Sequence, residues 1–134
     1  MTTETHVFFL VLEFGDDVAA VTAALGVEPS EAWLRGDRIA PHPSARQTHS
    51  RWQLDSGLPP HGCFEDQLNA LLDRLEQRTE GVRHVASRFD AGVRAAIYTS
   101  EVNPEWCVSP RAVRRLAALG LGIEFDVYRL PGDA

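Results

Sequence analysis

The chain has no lysine: all 13 of its basic residues are arginine. Every fixed cation is therefore a planar fork, suited to paired grips on carboxylate or phosphate. The cations are nevertheless outnumbered by 19 acids, which leaves a formal net charge of -6. That deficit argues against general nucleic-acid binding, where excess cations must displace counterions from phosphates. Cysteine is scarce too. Cys63 and Cys107 are the only two, and they are far apart in sequence. The disulfide-dense frameworks of small secreted domains are excluded, and a reducing, cytoplasmic setting is expected. Long hydrophobic runs are missing as well. Val7 to Leu12 is far too short to cross a bilayer, and the first residues carry Glu4 and no positive charge, unlike a secretory leader. No membrane association is expected. Gly-x-Gly-x-x-Gly, P-loop and Gly-x-Ser-x-Gly signatures do not occur, so the common nucleotide-binding and hydrolase motifs offer no guide.

What is present fits one globular domain spanning residues 1–134. The 44% apolar and 24% charged content is ordinary for such a fold, and the length suffices to bury a core. Val7-Phe8-Phe9-Leu10-Val11-Leu12 is apolar at both alternating positions, which predicts a strand covered on both faces. Asp16 or Asp17 is placed to cap a short helix with Val18, Val21 and Leu25 on one face and Gly26 as its stop. Residues 27–49 lack any clean period and hold Pro29, Pro41 and Pro43. A short strand at 51–55 follows, then a helix from Phe64 through Leu68, Leu71, Leu72 and Leu75 that continues towards Phe89 with Gly81 as a kink. A strand at about 93–100, a helix opened by Ser109-Pro110 and carrying Val113, Leu116 and Leu119, and an alternating strand from Ile123 to Tyr128 complete the chain. The expected fold class is α/β (α+β): a two-layer sandwich, with a small mixed sheet of about four strands and the helices on one face, in the order β-α-loop-β-α-β-α-β. The second side of the first strand is then too apolar to meet water. The segment 27–49, with Trp33, Leu34 and Ile39, is expected to lie across it.

That segment also carries the leading site candidate. Trp33, Arg35, Asp37 and Arg38, followed by Arg46, His49, Arg51 and Trp52, concentrate arginine and tryptophan in an otherwise acidic chain. Such residues can bind an anionic or planar partner by paired hydrogen bonds and stacking. The competing reading is structural, with Asp37 pinning the loop and both tryptophans sealing the sheet. Other constellations are weaker. His42, His49, His61 and Cys63 lack the close pairs typical of zinc sites, so no metal and no cofactor is expected. Glu124 and Asp126 share a strand face with Tyr128. A salt bridge to Arg94 is their ordinary arrangement, ahead of acid–base chemistry. Arg111, Arg114 and Arg115 are expected on the outer side of their helix, and Cys63 and Cys107 have no histidine fixed beside them.

Several pieces resemble the bacterial domain-of-unknown-function family 4279. They are Leu25-Gly26-Val27-Glu28-Pro29 leading to Trp33-x-x-Gly36-Asp37, then Trp52-x-Leu54, the leucine helix, and Leu116-x-x-Leu119-Gly120 running to Phe125-Asp126-Val127-Tyr128. The resemblance implies an α/β domain and brings no catalytic residue set. Without a catalytic motif, the expected role is a non-enzymatic binding or interaction module. By analogy with other small acidic bacterial domains, the specific form expected of that role is an immunity protein masking a cognate toxin. The alternative is a binder of, or enzyme for, a small anionic ligand, with Trp33, Arg35, Arg38, Arg51 and Trp52 lining its pocket.

Overall fold

The computed structural model describes residues 2–42, 44–104 and 106–131; Met1, Pro43, Glu105 and the last three residues of the expected 1–134 domain lie outside these. The elements run β1 (Thr3–Leu12), α1 (Val18–Leu25), β2 (Glu31–Trp33), β3 (Arg51–Asp55), α2 (Phe64–Glu76), α3 (Thr79–Arg88), β4 (Asp90–Thr99), α4 (Pro110–Leu119) and β5 (Ile123–Arg129). The five strands form one sheet in the order β2-β3-β1-β4-β5. β1 is central and antiparallel to both β3 and β4, whereas β4 and β5 are parallel, joined through α4. A parallel pair needs a crossover of this kind, since a tight turn cannot reverse the chain twice.

This is the α+β sandwich with a mixed sheet that the patterning predicts, enlarged by one strand. The extra strand is β2, three residues within the segment expected as loop. It is too short for periodicity to reveal. Local signals elsewhere act as their chemistry dictates. The Asp17 carboxylate accepts the Ala20 N–H at 2.9 Å, Gly26 adopts φ 67° to end α1, and the Ser109 hydroxyl caps α4 ahead of Pro110.

Three details depart from expectation. The long helix is two helices, broken at Gln77 and Arg78. Gly81 is not a kink; it lies inside α3, where a Cβ would collide with the Ala24 carbonyl oxygen, so its missing side chain lets α1 approach. The buried stripe of α4 contains Leu116 and Leu119 as expected, but Ala112 takes the place expected of Val113, which is 53% exposed.

The main core lies between the sheet and the helices. Val7, Phe9, Val11, Trp52, Leu54, Val93 and Ala95 meet the leucines of α2 and Val82 and Val85 of α3. Trp52 is wholly buried there, and its indole N–H donates to the Thr22 hydroxyl at 3.1 Å. The opposite face carries a small second cluster, Phe8, Leu10 and Ala96, with Leu12 and Tyr98 packed against it. Phe8 and Leu10 are only 6% and 4% exposed, so the second side of β1 is indeed shielded.

The shield is not the expected one. Segment 27–49 pairs alongside β3 at the sheet edge through β2, and its Leu34 packs into the helix-side core. Beyond β2 it folds back on itself: the Gly36 N–H donates to the Gln47 carbonyl, the Gln47 N–H donates to the Asp37 carbonyl, each at 2.8 Å, and an isolated bridge joins Arg38 to Arg46. Phe8 is covered instead by side chains from the neighbouring strands, above all Arg51, whose guanidinium carbon lies 5.3 Å from the ring centre. Long arginine stems commonly cover apolar surface while the charged head reaches water.

Candidate binding face

Strand alternation decides which side chains share the side away from the helices. In register across the sheet stand Glu31 and Trp33 of β2; Arg51, Gln53 and Asp55 of β3; His6, Phe8 and Leu10 of β1; Arg94, Ala96 and Tyr98 of β4; and Glu124, Asp126 and Tyr128 of β5. Among the described residues no helix packs on this side. A shallow cavity of about 390 Å³ lies over it, walled by Phe8, Arg51, Gln53, Arg94, Tyr98 and Asp126 among others.

Arg51 organises one end. Its guanidinium carbon is 5.3 Å from the ring centres of both Phe8 and Trp33, an aromatic bracket around a cation. Its Nε and Nη2 donate to the Gln53 amide oxygen at 3.1 and 2.5 Å, and the Gln53 amide nitrogen donates onward to Asp55 at 2.7 Å. Among the described residues no carboxylate comes within ion-pair distance of Arg51. Burial, and after it the charge of Arg94, holds the Arg51 guanidinium below its ordinary pKa, while Glu31, Asp55 and Asp126 pull the other way.

Arg94 takes the centre. It pairs with Glu124 at 3.2 Å and with Asp126 at 3.5 Å, the cross-strand bridge that the parity of these residues predicts. These carboxylates therefore neutralise a cation. The far end is aromatic. The Tyr98 and Tyr128 rings stack at 4.7 Å, and His6 meets Tyr98 edge-on at 5.9 Å. Tyr128 is 48% exposed.

The six residues singled out in the sequence do not converge. Trp33 and Arg51 meet on the open face. Trp52, next to Arg51 in a strand, must point the other way, and it serves the helix-side core. Arg35, Asp37 and Arg38 sit at the surface of the turn after β2. Asp37 accepts the Leu34 N–H at 2.8 Å rather than pairing with an arginine, and the Arg35 N–H donates to the Ser50 hydroxyl at 3.3 Å. The pocket expected of Trp33, Arg35, Arg38, Arg51 and Trp52 together is thus not formed, because strand alternation and a tight turn separate its members.

Sequence reasoning did not join the other residues of this face to Arg51 and Trp33: Phe8 and Gln53 beside Arg51, Arg94 at the centre, and Tyr98 and Tyr128 at the far end. Their signal was the shared parity of polar and aromatic positions on the strands. That parity becomes a face only once the strand order is known.

Among the described residues no three His, Cys, Asp or Glu side chains gather as a metal cluster; His49 instead pairs with Glu13 at 2.9 Å. Arg115, expected on the outer side of α4, turns towards α2 and bonds Asn69, Asp73 and Glu76. No helix among the described residues is long and apolar enough to cross a membrane. A family profile described as a domain of unknown function (DUF4279) matches residues 3–130, nearly the whole chain. No curated protein and no solved structure matches it.

Proposed function

We propose that the chain, which belongs to the domain-of-unknown-function family DUF4279, is a non-enzymatic binding module that docks a basic partner protein on the open side of its sheet. The observation that carries this reading is the composition of that side. Tryptophan, tyrosine and arginine, the residues that dominate binding energy at protein interfaces, line a face that no helix of the described residues covers. Charge selects the partner. The face sets Glu31, Asp55, Glu124 and Asp126 against Arg51 and Arg94, and the whole chain has a net charge of -6. Such a surface attracts a basic protein over distance and speeds the encounter. An immunity protein masking a basic toxin is the specific form of this role.

A photo-crosslinking amino acid at Tyr128 tests the proposal, with the same group at Val113 on the helix side as control. A basic protein crosslinked from position 128 in the native host, absent from position 113, and lost when Glu124→Arg is added, supports it. Equal capture from both sites, or none from 128, refutes it.

The alternative, a small anionic ligand, has one observation in its favour: Arg51 is half-buried, ringed by aromatics and without a carboxylate partner among the described residues. Screening anionic metabolites by thermal shift checks it, since a ligand held by Arg51 raises the melting temperature of the native chain but not of Arg51→Met.

A further inference from the structure

The two cysteines lie 44 positions apart in sequence, yet both are exposed and both line one cavity of about 500 Å³, with Phe64, Asn103 and Trp106. Their convergence rests on several contacts. Phe64, the neighbour of Cys63, packs on Phe125 with ring centres 5.6 Å apart; Trp106, the neighbour of Cys107, stacks on the same Phe125 at 6.0 Å. Each cysteine is thus carried to a common ring by the residue beside it. An adjoining cavity of about 440 Å³ is walled by the same two stretches, with His61, Gly62 and Cys63 on one side and Glu101, Asn103 and Pro104 on the other. The start of β1 ties both down: the Thr5 N–H donates to the Pro60 carbonyl at 2.9 Å, and the Ser100 N–H donates to the Thr2 carbonyl at 3.0 Å.

We propose that Cys63 and Cys107 form a redox-modifiable thiol pair that closes to an intramolecular disulfide by exchange with small-molecule disulfides of the glutathione class. The two thiols differ in how firmly they are held. Cys63 is fixed as the N-cap of α2, its sulfur accepting the Asp66 N–H at 3.4 Å. Cys107 lies outside any helix or strand, two residues ahead of the Ser109 cap of α4, and closure needs a Cβ separation of about 3.8 Å.

The exchange balances in two displacements. One protein thiolate attacks a sulfur of the small disulfide and expels one small thiolate, leaving a mixed disulfide. The second protein thiolate then attacks the protein sulfur of that bond and expels the other small thiolate. Two protein thiols are oxidised, one small disulfide is reduced to two thiols, and the two protons end on the leaving sulfurs. The product staples the β4–α4 connection to the start of α2.

The test is intact-mass analysis of the full chain after incubation in oxidised and reduced glutathione, with free thiols trapped by alkylation. The closed form, lighter by two hydrogens, should exceed the glutathione adduct by about tenfold or more, because the second thiol acts at high effective concentration. Cys63→Ser and Cys107→Ser should each stop at a single glutathione adduct, and the preference for closure should fall in strong denaturant. Glutathione on both cysteines, disulfide-linked dimers, thiols that stay free under excess oxidised glutathione, or a closure preference unchanged by denaturant would each overturn the proposal.

Discussion

Arg51 covers Phe8, its guanidinium carbon 5.3 Å from the ring centre, although the two residues belong to different strands and are not register partners. Phe8 pairs with Asp55, so Arg51 must run along β3 past Gln53 to reach it. If that covering shields the second cluster, Arg51→Ala should cost about 1–2 kcal/mol from lost cation–π contact and newly wetted apolar surface. Arg51→Met, uncharged but long enough to cover the ring, should cost clearly less. Urea denaturation of both variants decides. Equal losses would show that the side chain does not act as a cover.

Trp33 and Trp52 should part company under mutation. Trp52→Ala empties a large volume in the helix-side core and should destabilise by about 3–5 kcal/mol. Trp33→Ala, at a half-buried edge position, should leave the denaturation midpoint close to wild type while weakening partner capture from the open face. A Trp33 variant as unstable as the Trp52 variant would contradict this division of labour.

Acid should weaken the join between α2 and α4. Arg115 donates to both Glu76 carboxylate oxygens, at 2.9 and 2.8 Å, and to Asp73 at 2.5 Å. The hydrogen bond from Arg115 holds the Glu76 carboxyl below its ordinary value of 4.5, and Glu76, ahead of Asp73, pushes the Arg115 guanidinium above its own ordinary value. A carboxyl whose folded pKa is depressed binds fewer protons folded than unfolded. Its stabilising contribution is therefore complete above 4.5 and disappears as pH falls through the lower folded value. The urea midpoint of the wild type should drop more steeply across this acid range than that of Glu76→Gln. Parallel curves would mean that the pair contributes nothing.

Gly81→Ala should destabilise the fold although alanine is the better helix former by about 1 kcal/mol. The new methyl group would collide with the backbone oxygen of Ala24, which cannot swing aside as a flexible side chain can. A net loss of about 1–3 kcal/mol is expected from the forced separation of α1 and α3. A rise in melting temperature would refute the close approach.

Much of the architecture was legible where the signal is local. The Asp17 cap, the Gly26 stop, the Ser109-Pro110 start and the leucine face of α2 each depend on residues a few positions apart, and each forms as its chemistry requires. The alternation of β4 and β5 was equally readable, and with it the bridge from Arg94 to Glu124 and Asp126. The site was harder to read because its members meet only through strand order. The apolar second side of β1 was plain in Val7 to Leu12, but its cover was sought in the nearest unassigned apolar segment. Arg51 and Tyr98 provide that cover from adjacent strands, and charged or phenolic residues do not advertise themselves as a roof. Trp52 misled for a simpler reason. Proximity to Arg51 in sequence places it on the opposite side of a strand.

The middle position of β1 also bears on how the chain is made. This strand precedes both of its partners in the chain, and its β4 partners, Asp90–Thr99, are synthesised roughly eighty residues later, so closing that long a loop is slow. Until then a nascent chain displays Val7 to Leu12 with at most one flank hydrogen-bonded through β3. Translation that stalls before Asp90 therefore leaves a sticky, half-zipped intermediate, and its yield should depend on elongation speed more than the compact finished product would suggest.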